Sequence, residues 1–317
     1  MAEALRKGFN ILKPFAGRLV TVWVAGLLAF MILEMSPGDV IQTLVGDEAS
    51  LEQISNLRQQ LDLDRPLLIR YTDYILNFLR GDFGTSLVRG RPVLQLVGER
   101  FGNTLLLTFS SVLLASMFGV VFGMASAMRY RSLLDTSILI ATTVFLAIPA
   151  FSSAILFVQL FSVHLGWLPA VGGSSLRHLI LPTLSLSIPL ASVITRLVRS
   201  RLIDELGQFY VTTAFAKGMT ARQVWKNHIL RNALTPAVTF IGLQIGHLLG
   251  GAVIVETVFA YPGVGRLIVQ AIFDQDYPVV LAGVILLTLL FQMVNGLTDG
   301  IQRLIDPRIR EGNETVC

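Results

Sequence analysis

Charge is scarce in this 317-residue chain. Asp, Glu, Lys and Arg make up 15% of it, against about 25% in an ordinary soluble domain. That is too little to cover a globular surface facing water, so two soluble domains, which the length would allow, give way to a protein that has lipid as part of its solvent. Cysteine is nearly absent: Cys317 stands alone, which excludes an internal disulfide and a cysteine-based metal cluster. The four lysines, Lys7, Lys13, Lys217 and Lys226, never follow a glycine. A phosphate-binding loop ends in Gly-Lys-Ser/Thr, so the chain is not expected to hydrolyse ATP itself. No Gly-x-Ser-x-Gly elbow and no His-Glu-x-x-His occurs. The four histidines are scattered, and hydrolytic chemistry has no support.

What the chain does have is apolar length. Apolar residues reach 53% and the mean hydropathy is +0.66. A membrane helix needs about 20 mostly apolar residues, and six uncharged runs qualify or come close: Leu19 to Leu33, Phe101 to Met128, Thr136 to Val163, Leu179 to Thr195, Asn232 to Val255 and Tyr277 to Thr298. The first is the shortest, and Glu34 at headgroup level would let it continue to Pro37. Glu34-Met35-Ser36-Pro37-Gly38 lacks a small-x-small cleavage pattern, so the run is expected to be an uncleaved anchor rather than a signal peptide. Placing the N-terminus inside puts 16 of the 25 Lys and Arg residues on the inner side. Seven of the other nine lie in one long outer loop containing nine acids, and long loops weigh little in the positive-inside rule. Both termini are therefore expected in the cytoplasm.

The connections are informative. The outer segment 37–100 is too long for a simple link. It repeats apolar residues at helical spacing twice, at Leu51, Ile54, Leu57 and Leu61 and again at Leu68, Tyr71, Ile75 and Phe78. An extracytoplasmic cap of two short helices is predicted, with or without a binding role. In the outer loop 258–278, Tyr261-Pro262-Gly263-Val264-Gly265-Arg266 makes a tight turn. The apolar run after it predicts a short re-entrant or interfacial helix ended by acids, which is either a gate or a passive wedge.

The inner segment 196–235 holds seven basic residues against Asp204 and Glu205, yet keeps Val211, Ala214, Phe215, Val224, Ile229 and Leu230 at helical intervals. Two short amphipathic helices hinged at Gly218 are predicted. Small residues at Ala214 and Ala216 suit insertion into a partner's groove, while Lys217, Arg222 and Lys226 equally suit anionic lipid. Within or near the runs, the ionisable residues are Glu34, His247, Glu256 and Asp299. Such residues are functional candidates by default. His247, set among Gly246, Gly250 and Gly251, is the candidate for the translocation path, with a packed histidine as the alternative, and Glu256 reads as an anchor for the following turn. Pro182 and Pro189 are expected to kink the fourth run.

Tyr210-Val211-Thr212-Thr213-Ala214-Phe215-Ala216-Lys217-Gly218, followed by Arg222, His228-Ile229-Leu230-Arg231-Asn232-Ala233-Leu234 and Pro236, resembles the coupling-loop motif of ATP-binding-cassette importer permeases, in particular the dipeptide, oligopeptide and nickel branch. Further matches are Pro37-Gly38-Asp39, Leu61 to Leu67, Gly81-Asp82-Phe83-Gly84-Thr85-Ser86, Arg91-Pro92-Val93, Glu256 to Gly265, Asp276-Tyr277-Pro278-Val279 and Asp306 to Arg310. Thr213 stands where the family often has Glu, which weakens a salt bridge there. Thr235 separates Leu234 from Pro236, a spacing the branch commonly tolerates.

The resemblance implies an all-α integral membrane protein of the bacterial inner membrane, a type I importer permease with six transmembrane helices. Its expected parts are a cytoplasmic start (1–18), a first span (19–36), an outer cap (37–100), a five-helix core (101–301) and a cytoplasmic tail (302–317). It implies a second permease, two cytoplasmic ATPases and an extracytoplasmic solute-binding protein as partners, with lipid around the chain and no nucleic acid. ATP and Mg would sit on the ATPases, and no cofactor or metal on this chain. Thr213, Ala214, Ala216, Lys217, Gly218 and Arg222 would couple to the ATPases. Tyr261, Pro262, Gly263, Gly265 and Arg266 would form the outer gate or the binding-protein dock. Short peptides are the expected cargo. Nickel or a metal chelate is the alternative, with a chelate favoured over a bare ion because one midspan histidine cannot supply a ring of ligands.

Overall fold

A computed structural model describes residues 2–35, 64–173 and 175–305, together with Ser55 and Gln59. The first predicted cap helix (51–61), the Pro37-Gly38-Asp39 match and the tail motif from Asp306 lie outside the described residues. The elements are α1 (Ala2–Met35), α2 (Leu67–Leu79), α3 (Val93–Met128), α4 (Leu133–Ala147), α5 (Ala150–Phe157, continued by a π-helical stretch Val158–His164), α6 (Leu176–Leu206), α7 (Phe209–Ala216), α8 (Ala221–Val224), α9 (Leu230–Val258), α10 (Val264–Phe273) and α11 (Tyr277–Ile305). A π-helical stretch Trp225–Ile229 joins α8 to α9.

Five helices are long and apolar enough to cross a membrane, and the bent pair α4 and α5 makes a sixth if it is one span. The expectation of a single helix over Thr136 to Val163 is corrected here. The chain breaks at Ile148 and Pro149 and turns by 98°. Proline Cδ disfavours the helical conformation for the residue before it, and Ile148 is extended (φ −93°, ψ 117°) while Pro149 caps the next helix.

The chain divides into two compact units, residues 1–102 with 263–292 and residues 103–262 with 293–317. In the first, Phe30, Leu33, Tyr71, Val97, Leu267 and Val280 belong to one apolar core. α2 is fastened to α1 there. Tyr71 is fully buried and its hydroxyl donates to the Trp23 carbonyl at 2.6 Å, beside Gly26, where a Cβ would meet that hydroxyl at 2.8 Å. Arg70 reaches Glu34 at 2.9 Å and lies over the Phe30 ring, so Glu34 holds the cap helix.

In the second unit α6 is central, with 67% of its most apolar stretch buried. Pro182 and Pro189 lie inside it, and it runs on to Leu206. Hydroxyls on the spans find partners without leaving their helix: Thr108, Ser111, Ser185, Ser192 and Thr195 each donate to the carbonyl four residues back, which keeps polar groups satisfied away from water. Ser110 and Thr183 join α3 to α6 at 3.0 Å.

Candidate functional site

α7 is an eight-residue helix between two glycines. Gly207 closes α6, and Gly218 turns the chain at φ +81°, in left-handed space that side chains with a Cβ seldom enter. Thr220 then caps α8 through a reciprocal pair of bonds with Gln223. The hinge is where the glycine placed it, but the second half of the predicted pair is not a separate helix. From Ala221 the chain runs through α8 and the π-helical turn into a 38-residue element ending at Val258.

Tyr210 bolts α7 at its start. Its hydroxyl donates to the Glu205 carboxylate at the end of α6 and accepts from Asn232 Nδ2 of α9 at 3.3 Å. Burial first, and the Glu205 carboxylate next, push that hydroxyl above its ordinary pKa, so it stays protonated as the donor. Val211 and Ala214 are buried with Val224 and Ile229 against α6 and α9. Ala214 therefore packs inward and does not reach the free face. That face carries Thr213, Ala216, Lys217, Gly218 and Arg222, all exposed, and two aromatics: Phe209, 91% exposed, and Phe215. Phe215 had the spacing of an inward residue. Phe209 lies one residue before the motif, so the motif does not mark it.

The residues of loop 258–278 behave differently. Tyr261 is 1% exposed within a core of Leu107, Leu181, Val255 and Phe259. Gly263 and Gly265 are buried, while Pro262 and Arg266 are half-buried. Glu256 is fully buried and accepts from Thr104 Oγ1 at 2.7 Å, Asn103 Nδ2 donates to the Pro262 carbonyl at 2.9 Å, and the Tyr261 N–H donates to the Glu256 carbonyl at 2.8 Å. Glu256 thus anchors the turn, and the turn is core rather than surface. The short helix expected after it is α10, capped at its end by Asp274.

Two sequence matches far apart in the chain meet in the first unit. The buried Asp276 carboxylate accepts from Ser86 Oγ and from the Leu87 N–H, the latter at 3.1 Å, and Arg89 lies 3.8 Å from Asp274. Gly81 and Gly84 shape that cap loop with φ of +86° and +74°. His247 sits on an exposed face of α9, with Leu243, Gly250, Gly251 and Ile254 exposed beside it and Gly246 turned inward.

Residues 119–311 match the family described as "Binding-protein-dependent transport system inner membrane component", and residues 9–108 match its N-terminal companion. The glutathione transport system permease protein GsiC of Salmonella typhimurium is 42% identical over 300 residues, covering 95% of this chain and 98% of that protein. Its Escherichia coli K12 counterpart is 41% identical over 303 residues with the same coverage. An inward-facing structure of the MetNI methionine ABC transporter superposes with a TM-score of 0.57 at 21% identity, covering 67% of this chain and 97% of that one. An amino acid ABC transporter solved with histidines gives 0.51 at 16% identity, covering 66% and 94%. At such identities the structural likeness speaks for the fold alone.

Proposed function

The chain belongs to the inner-membrane components of binding-protein-dependent transport systems, as a multi-pass, non-catalytic permease subunit of an ABC importer, and from that premise we propose that it carries short peptides of the glutathione size class. A second permease completes the path, a solute-binding protein delivers the cargo from outside, and two cytoplasmic ATPases hold the ATP and Mg. The observation that carries the cargo is the match along nearly the whole length of permeases named for glutathione, a tripeptide.

With both termini inside, α7 and Gly218 face the cytoplasm. The exposed face of Phe209, Thr213, Phe215, Ala216 and Lys217 suits a groove on an ATPase, and Arg222 follows just past the hinge. The bolt from Tyr210 to Glu205 and Asn232 ties the docked helix to two spans, so a push on α7 reaches α6 and α9 together. The loop after α9 closes the outer end, and His247 lies along the path between them. The binding protein rests on the cap, reached from residues such as Asp64 and Arg266.

The experiment is ATP-dependent uptake by the complete importer in proteoliposomes, with glutathione, a dipeptide, a longer peptide and nickel offered separately. Uptake of glutathione or a dipeptide, competed by the others of that class, is expected. Transport of nickel alone, or of none of the peptides, overturns the cargo assignment.

A further inference from the structure

Asp135, in the first turn of α4, is 2% exposed, and its two oxygens accept from four donors. Arg199 of α6 supplies Nε at 2.6 Å and Nη2 at 2.8 Å, Ser126 of α3 supplies its hydroxyl, and the Arg131 N–H closes the turn at 2.9 Å. Arg131 holds φ +62°, a strained value for a side chain with a Cβ, and the bond to Asp135 helps hold that turn, with the Ser132 N–H donating to the Arg129 carbonyl at 3.0 Å. The Tyr130 ring lies 5.4 Å from the Arg199 guanidinium and 5.2 Å from that of Arg131. A fork of two parallel bonds constrains orientation as well as distance, so α4 is held on α6 in one register.

The rest of the packing makes this pair a transmission point. α3 sits on α6 through Gly119 and Gly123, where an added Cβ would come within 2.6 Å of Ile194 and 2.8 Å of the Thr195 carbonyl. Such a small-residue notch locks two membrane helices into close contact. α4 also packs directly along α6, and that packing is interrupted by an open-sided apolar cavity of about 290 Å³, lined in part by Phe122, Ile138, Thr142, Phe145 and Ala191. Arg199 lies about two turns before the end of α6, and α6 passes through Gly207 directly into α7.

We propose that Asp135 and Arg199 are a positioning pair that makes α4, and with it the bent segment α5, follow α6 when α7 is displaced. The proposal rests on the reading of α7 as the ATPase-docking helix. With the pair intact, α3, α4 and α6 move as one body. With it cut, only non-directional apolar packing, interrupted by the cavity, joins α4 to α6, and α4 lags while α7 and its partner continue to cycle. The pair touches neither nucleotide nor cargo, and its loss separates hydrolysis from transport.

The test measures ATP hydrolysed per substrate imported by the complete reconstituted importer with R199Q, D135N and the exchange D135R/R199D. R199Q and D135N are expected to keep their ATPases and hydrolyse ATP while the ratio rises about tenfold, within the ordinary range of allosteric coupling. The exchange is expected to recover part of the loss. Uptake and hydrolysis falling together, or a ratio unchanged from the unmodified importer, overturns the proposal by making the pair merely structural. D135E keeps the charge and displaces it by one methylene, so it gives the same reading if R199Q does not assemble. Failure of the underlying functional reading looks different: the unmodified importer would show no ATP-dependent uptake, or variants of Phe209 would leave ATPase docking untouched.

Discussion

The segment around α7 and the loop from Tyr261 to Arg266 are both marked by glycines in the sequence, both join apolar runs, and both read as places where partners bind. They differ in burial. α7 keeps Phe209, Lys217 and Gly218 exposed and spends only Val211 and Ala214 on the core. The outer turn buries Tyr261, Gly263 and Gly265 and fastens itself through Glu256, Thr104 and Asn103. Glycine serves a free hinge in one case, where nothing lies within 4 Å of the Cβ position of Gly218, and a packed turn in the other. A glycine motif alone does not separate a docking surface from a tightly packed corner.

The contrast can be broken most forcefully at Tyr261. Tyr261→Ala empties a fully enclosed aromatic site and is expected to destabilise the protein by about 3–5 kcal/mol, read as a drop in the melting temperature of the detergent-solubilised chain and in its yield. Phe209→Ala should do the reverse. An exposed side chain contributes within about 0.5 kcal/mol to folding, whereas an aromatic anchor at an interface is worth about 2 kcal/mol of binding. The melting temperature should hold while ATPase co-purification weakens. Unchanged co-purification would remove Phe209 from the dock.

Gly218→Asp tests the hinge. The space around it is open, so the cost is that of the left-handed backbone, about 1–2 kcal/mol. Substrate-stimulated ATP hydrolysis should fall with little change in permease level, and hydrolysis left intact would count against coupling through this turn. The smallest disturbance is a cysteine at the exposed Asp64. It is expected to leave uptake intact and to cross-link the soluble binding protein, which a cysteine at the buried Tyr261 should not capture. Cross-linking that is equal at the two positions would erase the distinction.

Several features were legible in the residues because local chemistry specifies them. Five of the six apolar runs reappear as long helices, α10 forms where the acids Asp274 and Asp276 end an apolar stretch, and Gly218 breaks the segment it was expected to break. The bend at Ile148 and Pro149 was not legible: both residues sit inside an uncharged run, and proline alone does not mark a break, because Pro182, Pro189 and Pro236 lie inside continuous helices. The orientation of α7 was not legible. In FYVTTAFA apolar side chains occur on every face, so periodicity cannot choose between Ala214 and Phe215 as the inward residue. Tertiary packing chose the smaller one.

Sequence by itself determined that the chain lives in lipid, where its apolar runs lie, that it has no Gly-Lys-Ser/Thr loop, and which family it resembles. Each follows from composition, spacing or ordered motifs within a few residues of one another. Only the tertiary structure decided that Asp135 would meet Arg199, that Ser86 would meet Asp276, and that Tyr261 would be core while Phe209 stayed exposed. The reason is physical. A carboxylate removed from water must find donors, but its own stretch of chain does not specify which of many arginines and hydroxyls supplies them until helices pack and bring distant residues to hydrogen-bond distance.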